Sequence, residues 1–275
     1  KGFLENTGID FKNFASKRIA VDDEIKEQIQ LHIKTGGRPY IPGSSLKGAI
    51  RTAIISCFFT KGLEKNIKDT KEYIGQDILG RYDEDILKFL QVSDTVPFGE
   101  EELDIVKFFR YNLKTNKLDI PVVKEVIPPG KECTFIMGLK AKKGQVDSRF
   151  EFLEEGKESR LFEIINTFAR NSLETELKEL KRSSSGKLKD VEEFYISLLD
   201  EVRTADNTRE AYMRIGSGKT FYDNTIAHRL SKGFLDKIIN RNYKKADPNF
   251  FPKTRTIVLY KGQITAPGWV KLERA

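Results

Sequence analysis

The chain has 275 residues, and its 48 lysines and arginines against 41 aspartates and glutamates give a net charge of +7. A hydrophobic content of 39%, with 19 phenylalanines, is enough for one large or two small folded domains and excludes a disordered tail protein. The charge is uneven, because residues 203–275 hold 15 basic and 6 acidic side chains. A basic C-terminal part makes a polyanion the leading class of partner.

The first predicted elements are a turn and a helix. Residues 35–45 are rich in glycine, proline and serine, which favours a turn. Apolar residues then recur at the helical period from Leu46 to Phe58, and Ser44 or Ser45 is a suitable N-cap. Lys47 and Arg51, four positions apart, are predicted to lie side by side on the opposite face.

The rest of the chain alternates between helices and short strands. Helices are predicted within residues 66–91 and over 161–180, 191–199 and 225–239, and strands over 118–127, 133–139, 212–215, 256–260 and 269–272. This alternation favours an α+β fold. The longest apolar stretch, near residues 53–59, is too short to span a bilayer.

Cysteine and histidine limit the possible chemistry. Cys57 and Cys133 are the only two cysteines in the sequence, and this count excludes a disulfide framework or a cysteine-rich zinc site. Because each lies in an apolar run, both thiols are expected to be buried in a reducing compartment. His32 and His228 form no ligand-type pair and are interpreted as structural. We therefore expect no metal and no cofactor.

The turn and helix at residues 42–51 form the first candidate site. A glycine turn before a helix directs free N–H groups and the positive end of the helix dipole outward, which suits a phosphate. Ser44 and Ser45 add hydroxyl donors, and Lys47 and Arg51 add charge. Gly48 costs the helix about 1 kcal/mol relative to alanine, which a close approach of another backbone would explain. An ordinary capped helix with a solvated basic face is the alternative, and it stays open.

The second candidate site is the loop Gly216-Ser217-Gly218-Lys219-Thr220, which follows Arg214. Its Gly-Lys-Thr ending is typical of a nucleotide-binding P-loop, but that motif needs a glycine where this chain has Met213. We reject an ATPase and retain a loop rich in N–H donors that suits a sugar-phosphate chain. Phe221 and Tyr222 are interpreted either as base-stacking side chains or as core.

Two further features carry less weight. Lys253 and Arg255 form a basic turn before a strand, which is commonplace. Three acidic clusters suggest a metal-dependent nuclease, but without a partner histidine they are better interpreted as solvated charge: Asp22-Asp23-Glu24, Asp83-Glu84-Asp85 and Glu100-Glu101-Glu102.

Residues 39–53, from Pro39-Tyr40-Ile41-Pro42-Gly43 onward, resemble the RAMP superfamily of CRISPR-associated RNA-binding proteins. Further segments, in the expected order, resemble the family of the fifth Csm subunit of type III-A effector complexes: Val92-Ser93-Asp94-Thr95 with Pro97, Glu125 with Pro129-Gly130, Arg214-Ile215-Gly216-Ser217-Gly218 with Thr225-Ile226, Phe251-Pro252-Lys253-Thr254-Arg255, and Pro267-Gly268-Trp269-Val270-Lys271-Leu272. Nothing in the printed sequence matches the strand and Thr-Pro-Val-His-Ile-Gly-type loop with which that family usually begins.

The resemblance implies two ferredoxin-like (RRM-like) RAMP domains with helical insertions, at residues 1–145 and 146–275. It implies a non-catalytic cytoplasmic subunit that binds the 3′ portion of the CRISPR RNA, caps the backbone filament and assists 3′-end maturation. The implied partners are CRISPR RNA, the backbone RAMP subunit, the small helical subunit and host nucleases that trim the guide, with no membrane.

The expected RNA contacts combine the candidate sites: Ser44, Ser45, Lys47, Gly48, Arg51, Arg214, Gly216, Ser217, Gly218, Lys219, Thr220, Lys253 and Arg255. Two alternatives stay open. One is a metal-dependent endoribonuclease that uses an acid such as Asp94, and the other is the RAMP subunit that grips the 5′ tag of the CRISPR RNA.

Overall fold

The computed structural model describes residues 25, 28–67, 75–119, 121–182, 186–243, 246–248 and 251–275, so the acidic cluster at residues 22–24 lies outside it. The α-helices in these ranges are α1 (Gly43–Phe58), α2 (Gln76–Leu79), α3 (Glu158–Arg182), α4 (Lys189–Thr204), α5 (Phe221–Asn224) and α6 (Lys232–Asn242). The strands are β1 (Lys34–Thr35), β2 (Arg38–Pro39), β3 (Leu90–Val92), β4 (Asp104–Asn112), β5 (Lys117–Leu118), β6 (Val122–Val126), β7 (Met137–Leu139), β8 (Glu210–Arg214), β9 (Thr254–Tyr260), β10 (Gln263–Thr265) and β11 (Trp269–Glu273). The α+β prediction is confirmed.

Strand β4 is the centre of the main sheet. It pairs antiparallel with β9, β6 and β5, and β10 pairs with the far edge of β9. Three smaller pairs, β1–β2, β3–β7 and β8–β11, lie outside this sheet. The main sheet joins strands from both sides of the predicted boundary at residues 145/146, and the division into two ferredoxin-like domains stays a prediction.

Helix α3 is central to the packing of the described residues. It packs against α1, α4, α5 and β8, and its buried stripe from Leu161 to Leu180 agrees with the predicted apolar periodicity. Glu158 in the first turn and Arg182 in the last have the signs that the helix dipole favours. One apolar cluster surrounds α1 and the first half of α3, and a second fills the space between the rest of α3, α4 and the main sheet.

Two predicted elements are shorter than expected. The strand predicted over 133–139 begins only at Met137. The helix predicted over 225–239 is divided into a 3-10 turn and α6, because the N–H and hydroxyl of Ser231 donate to the carboxylate of Glu64 at 2.5 and 2.8 Å. Within the ranges that the structure describes, no helix is both long enough and apolar enough to cross a bilayer.

Candidate nucleic-acid interface

The N-terminus of α1 is occupied by a carboxylate of the same chain. The N-cap is Pro42, so the prediction of a serine N-cap is wrong. The Gly43 N–H donates to Oδ1 of Asp94 at 2.7 Å. A Cβ on Gly43 would lie 2.4 Å from the carbonyl oxygen of Val92, so only glycine fits. The positive end of the helix therefore already faces an anion.

Gly48 does not have the role predicted for it. A Cβ there would meet no atom within 4 Å, and the residue is exposed. The close backbone approach expected at Gly48 is found instead at Gly43. Ser44, one residue into the helix, is exposed, and Ser45 is half-buried.

The two cations of α1 both have partners within the protein. The Lys47 ammonium donates to the carbonyl oxygen of Leu90 at 2.7 Å. Nη1 of Arg51 donates to the carboxylate of Asp85 at 2.5 Å, and both of these side chains are more than two-thirds buried. Each cation ties α1 to the chain around β3, so a phosphate would have to share it with that partner.

The second glycine loop presents both exposed and buried groups. Gly216, with φ of +67°, and Ser217 are exposed. Gly218 is buried, and a Cβ there would lie 2.4 Å from the carbonyl oxygen of Pro267. Lys219 is half-buried, and burial lowers the pKa of its ammonium although Asp223 opposes the shift. The loop can therefore offer a phosphate its first two residues and one ammonium.

Thr220 and Tyr222 belong to the interior, and Phe221 between them is half-buried. The Thr220 hydroxyl donates to Oε1 of Glu176 at 2.8 Å. Burial raises the pKa of Tyr222 to about 12, and Phe221 packs edge-on against Phe251. For Tyr222 the core interpretation is therefore confirmed over base stacking.

Arg214 and Arg255 are placed differently from the expectation. Both side chains are at most 3% exposed, and each is paired with a buried carboxylate. Nη1 of Arg214 lies 2.9 Å from Oδ2 of Asp223, and Arg255 is hydrogen-bonded to Glu176. Neither guanidinium can reach a surface phosphate, so we remove both from the proposed RNA contacts. Lys253, two residues before Arg255, is exposed.

These four charges form one buried network. Burial alone would raise the pKa of Asp223, but Arg214 and hydrogen bonds from Ser172 and Thr220 outweigh it and hold the pKa below its usual range. Burial likewise raises the pKa of the Tyr195 phenol, whose oxygen lies 3.1 Å from Arg214. The network fixes the second glycine loop, because the Thr220 N–H donates to Asp223 at 2.9 Å and Arg214 donates at 2.9 Å to the carbonyl of Pro267, which packs against Gly218.

Two cations on the main sheet, Lys124 and Arg110, belong to no motif of the sequence. The ammonium of Lys124, on β6, lies 3.1 Å from Oγ of Ser217 in the second glycine loop. Burial lowers the pKa of Lys124, and the nearby Arg110 of β4 lowers it further. The register of β4 and β6 and the tertiary contact with the loop bring these residues together, and no spacing in the sequence signals it.

Comparison with known proteins identifies the family. The model of the RAMP superfamily matches residues 22–221. The chain belongs to the RAMP superfamily. Among curated relatives, the CRISPR system protein Csm5 of Methanocaldococcus jannaschii is 28% identical over 99% of this chain and 72% of its own length. Csm5 of Streptococcus thermophilus is 34% identical, over 34% of this chain and 29% of the relative.

Solved structures show the same RAMP fold. One is a chain of a Csm–crRNA–target RNA ternary complex of a type III-A CRISPR-Cas system, with a TM-score of 0.68 and 23% identity over 100% of this chain and 83% of that one. Another is Csm5 of T. onnurineus, with a TM-score of 0.54 and 22% identity over 98% of this chain and 82% of that one.

Proposed function

We propose that this RAMP protein is a Csm5-type subunit of a type III-A CRISPR complex that binds the 3′ portion of the CRISPR RNA. In this role it caps the backbone filament beside the backbone RAMP subunit and the small helical subunit. It assists 3′-end maturation without cutting RNA itself, by engaging host nucleases that trim the guide, and it acts in the cytoplasm.

The observation that carries the proposal is the similarity to the M. jannaschii Csm5, because it extends over 99% of this chain. A similarity of that extent includes both glycine loops rather than one shared motif. The fold likeness to a chain of a Csm–crRNA–target RNA complex is consistent with the same role.

The accessible polar groups suit an RNA backbone. Ser44, Gly216, Ser217 and Lys253 are exposed and Lys219 is half-buried, so hydroxyls, backbone N–H groups and ammonium groups can reach phosphates. Groups of this kind bind phosphate and sugar rather than base edges, so they do not distinguish sequences. Affinity should fall as salt rises and should be similar for guides of different sequence.

One contact supports binding without cleavage. Asp94, the acid that a metal-dependent nuclease would use, accepts the Gly43 N–H and thereby closes the N-terminus of α1. A structural role of this kind explains the carboxylate without a metal. Incubating the protein and an Asp94→Asn variant with RNA and Mg²⁺ or Mn²⁺ tests this point. We expect intact RNA in both reactions, and cleavage by the wild type alone would establish the nuclease alternative.

Crosslinking tests the position on the guide. We expect the protein, assembled with its co-purified partners, to crosslink to the 3′ portion of the bound CRISPR RNA, as sequencing of the crosslinked RNA would show. Crosslinks confined to the 5′ tag would instead support the alternative RAMP subunit. Mass spectrometry of the same preparation identifies the neighbouring subunits and any nuclease.

A further inference from the structure

The face of the main sheet beside the second glycine loop holds two cations, Lys124 and Arg110, that form no ion pair within the described residues, although Asp119 lies opposite Arg110 across the β4–β5 pairing. Lys124 and Glu125 are successive residues of β6, so their side chains point to opposite faces. Glu125 is paired with Lys34 at 2.9 Å on its own face. On the other face, and among the residues that the structure describes, the Lys124 ammonium contacts the hydroxyl of Ser217 at 3.1 Å and lies 4.9 Å from the centre of the Phe108 ring.

Arg110 adds a second positive charge to this face. Val106 of β4 is opposite Lys124, and Phe108 and Arg110 follow at two-residue steps on the same side of the strand. Arg110 is exposed, and it is the charged group that acts on the pKa of Lys124. Two neighbouring cations that repel one another are stabilised by any anion that binds between them.

We propose that Lys124, Arg110 and Ser217 form a binding site for a phosphate of single-stranded RNA, built jointly by the main sheet and the second glycine loop. The site rests on the proposed function and specifies where the RNA backbone crosses between these elements. Ser217 accepts the Lys124 N–H and keeps its own proton to donate to a phosphate oxygen. Gly216, exposed beside it, leaves room for the sugar-phosphate chain.

A fluorescent single-stranded RNA of mixed sequence, titrated with the full chain over a salt series, tests the site. Losing one phosphate contact should weaken binding about fivefold at 0.1 M salt and reduce the salt slope by about 0.7. We expect this for Lys124→Gln and for Arg110→Gln, with Lys124→Arg close to wild type. The matched control is Lys187→Gln, an exposed lysine outside the site, which should leave both quantities unchanged.

Ser217→Asp gives a second, independent readout. The new carboxylate would pair with Lys124 and occupy the place of the phosphate, so the variant should melt at or above the wild-type temperature and yet bind RNA more weakly than Ser217→Ala. Because the two effects have opposite signs, loss of folding cannot imitate them.

Two results would overturn the site. If the wild type binds RNA and Lys124→Gln binds with the same affinity and salt slope, this site is wrong while the proposed function stands. If Lys124→Gln weakens binding of poly-glutamate but not of RNA, the cations serve an acidic protein surface. A wild type that fails to bind RNA at 0.1 M salt would instead refute the proposed function and, with it, the site.

Discussion

Neutralising Asp223 tests the buried charge network most directly. Its carboxylate accepts hydrogen bonds from Nη1 of Arg214 at 2.9 Å, from the Thr220 N–H at 2.9 Å and from the Ser172 hydroxyl at 2.5 Å. The side chains of Arg214 and Asp223 are 1% and 2% exposed. Asp223→Asn keeps the size of the side chain but removes the carboxylate that is hydrogen-bonded to the buried Arg214 guanidinium.

The expected loss follows from that burial. Removing one partner of a buried ion pair costs about 3–5 kcal/mol, whereas an exposed pair contributes about 1 kcal/mol or less. At roughly 2–3 °C per kcal/mol for a chain of this size, the melting temperature should fall by about 6–15 °C. Thermal unfolding followed by circular dichroism measures this shift.

The same substitution at the surface is the control. Asp200 lies 3.8 Å from Arg203, and both side chains are largely exposed, so Asp200→Asn should shift the melting temperature by no more than about 3 °C. A double variant, Arg214→Met with Asp223→Leu, should lose less stability than the two single changes together, because neither charge is then left alone. Equal melting temperatures for Asp223→Asn and Asp200→Asn would refute the reasoning.

Three further predictions concern stability and are tested by urea or thermal unfolding. Gly43→Ala should destabilise the protein, because its Cβ would lie 2.4 Å from the carbonyl oxygen of Val92. Gly48→Ala, with open space around it, should stabilise α1 by up to about 1 kcal/mol. A Gly43→Ala variant more stable than Gly48→Ala would contradict the assigned packing. Burial lowers the pKa of His228 to about 4, so as the pH falls the imidazole takes up its proton in the unfolded chain before it does so in the folded one. The free energy of unfolding should therefore decline between about pH 6.5 and pH 4, by roughly 3 kcal/mol in total. His228→Gln should flatten that decline, and an unchanged pH profile would exclude His228 as its source. Thr220→Val removes the hydrogen bond to Glu176 and should cost about 1–3 kcal/mol, whereas a wild-type unfolding midpoint would mean that this contact contributes nothing.

The long helices could be predicted because their apolar residues repeat at a local period. Helices α1, α3 and α4 all agree with the predicted stripes, since burial of one face needs only the spacing within the segment. The end of a helix is less predictable. Pro42 rather than a serine is the N-cap of α1, because Asp94, 51 residues away from Gly43, supplies the acceptor that a serine hydroxyl would have given.

The candidate site could be predicted only in part. Arg214 resembled a surface cation because it precedes a glycine loop, and Arg255 because it lies in a basic turn before a strand. Yet Arg255 is buried against Glu176, 79 positions earlier in the chain. Conversely, Lys124 shows no motif, and it joins the site only through contact with Ser217, 93 positions later.

The sequence by itself determined the α+β class, the long helices and the two glycine loops, because periodicity and turn chemistry act between near neighbours. The resemblance of its motifs also indicated the RAMP superfamily. Only the tertiary structure decided which cations are buried in pairs and which remain free for a polyanion. The physical reason is that a charge can be buried only beside an opposite charge, and its partner is supplied by whichever distant strand or helix the fold brings there.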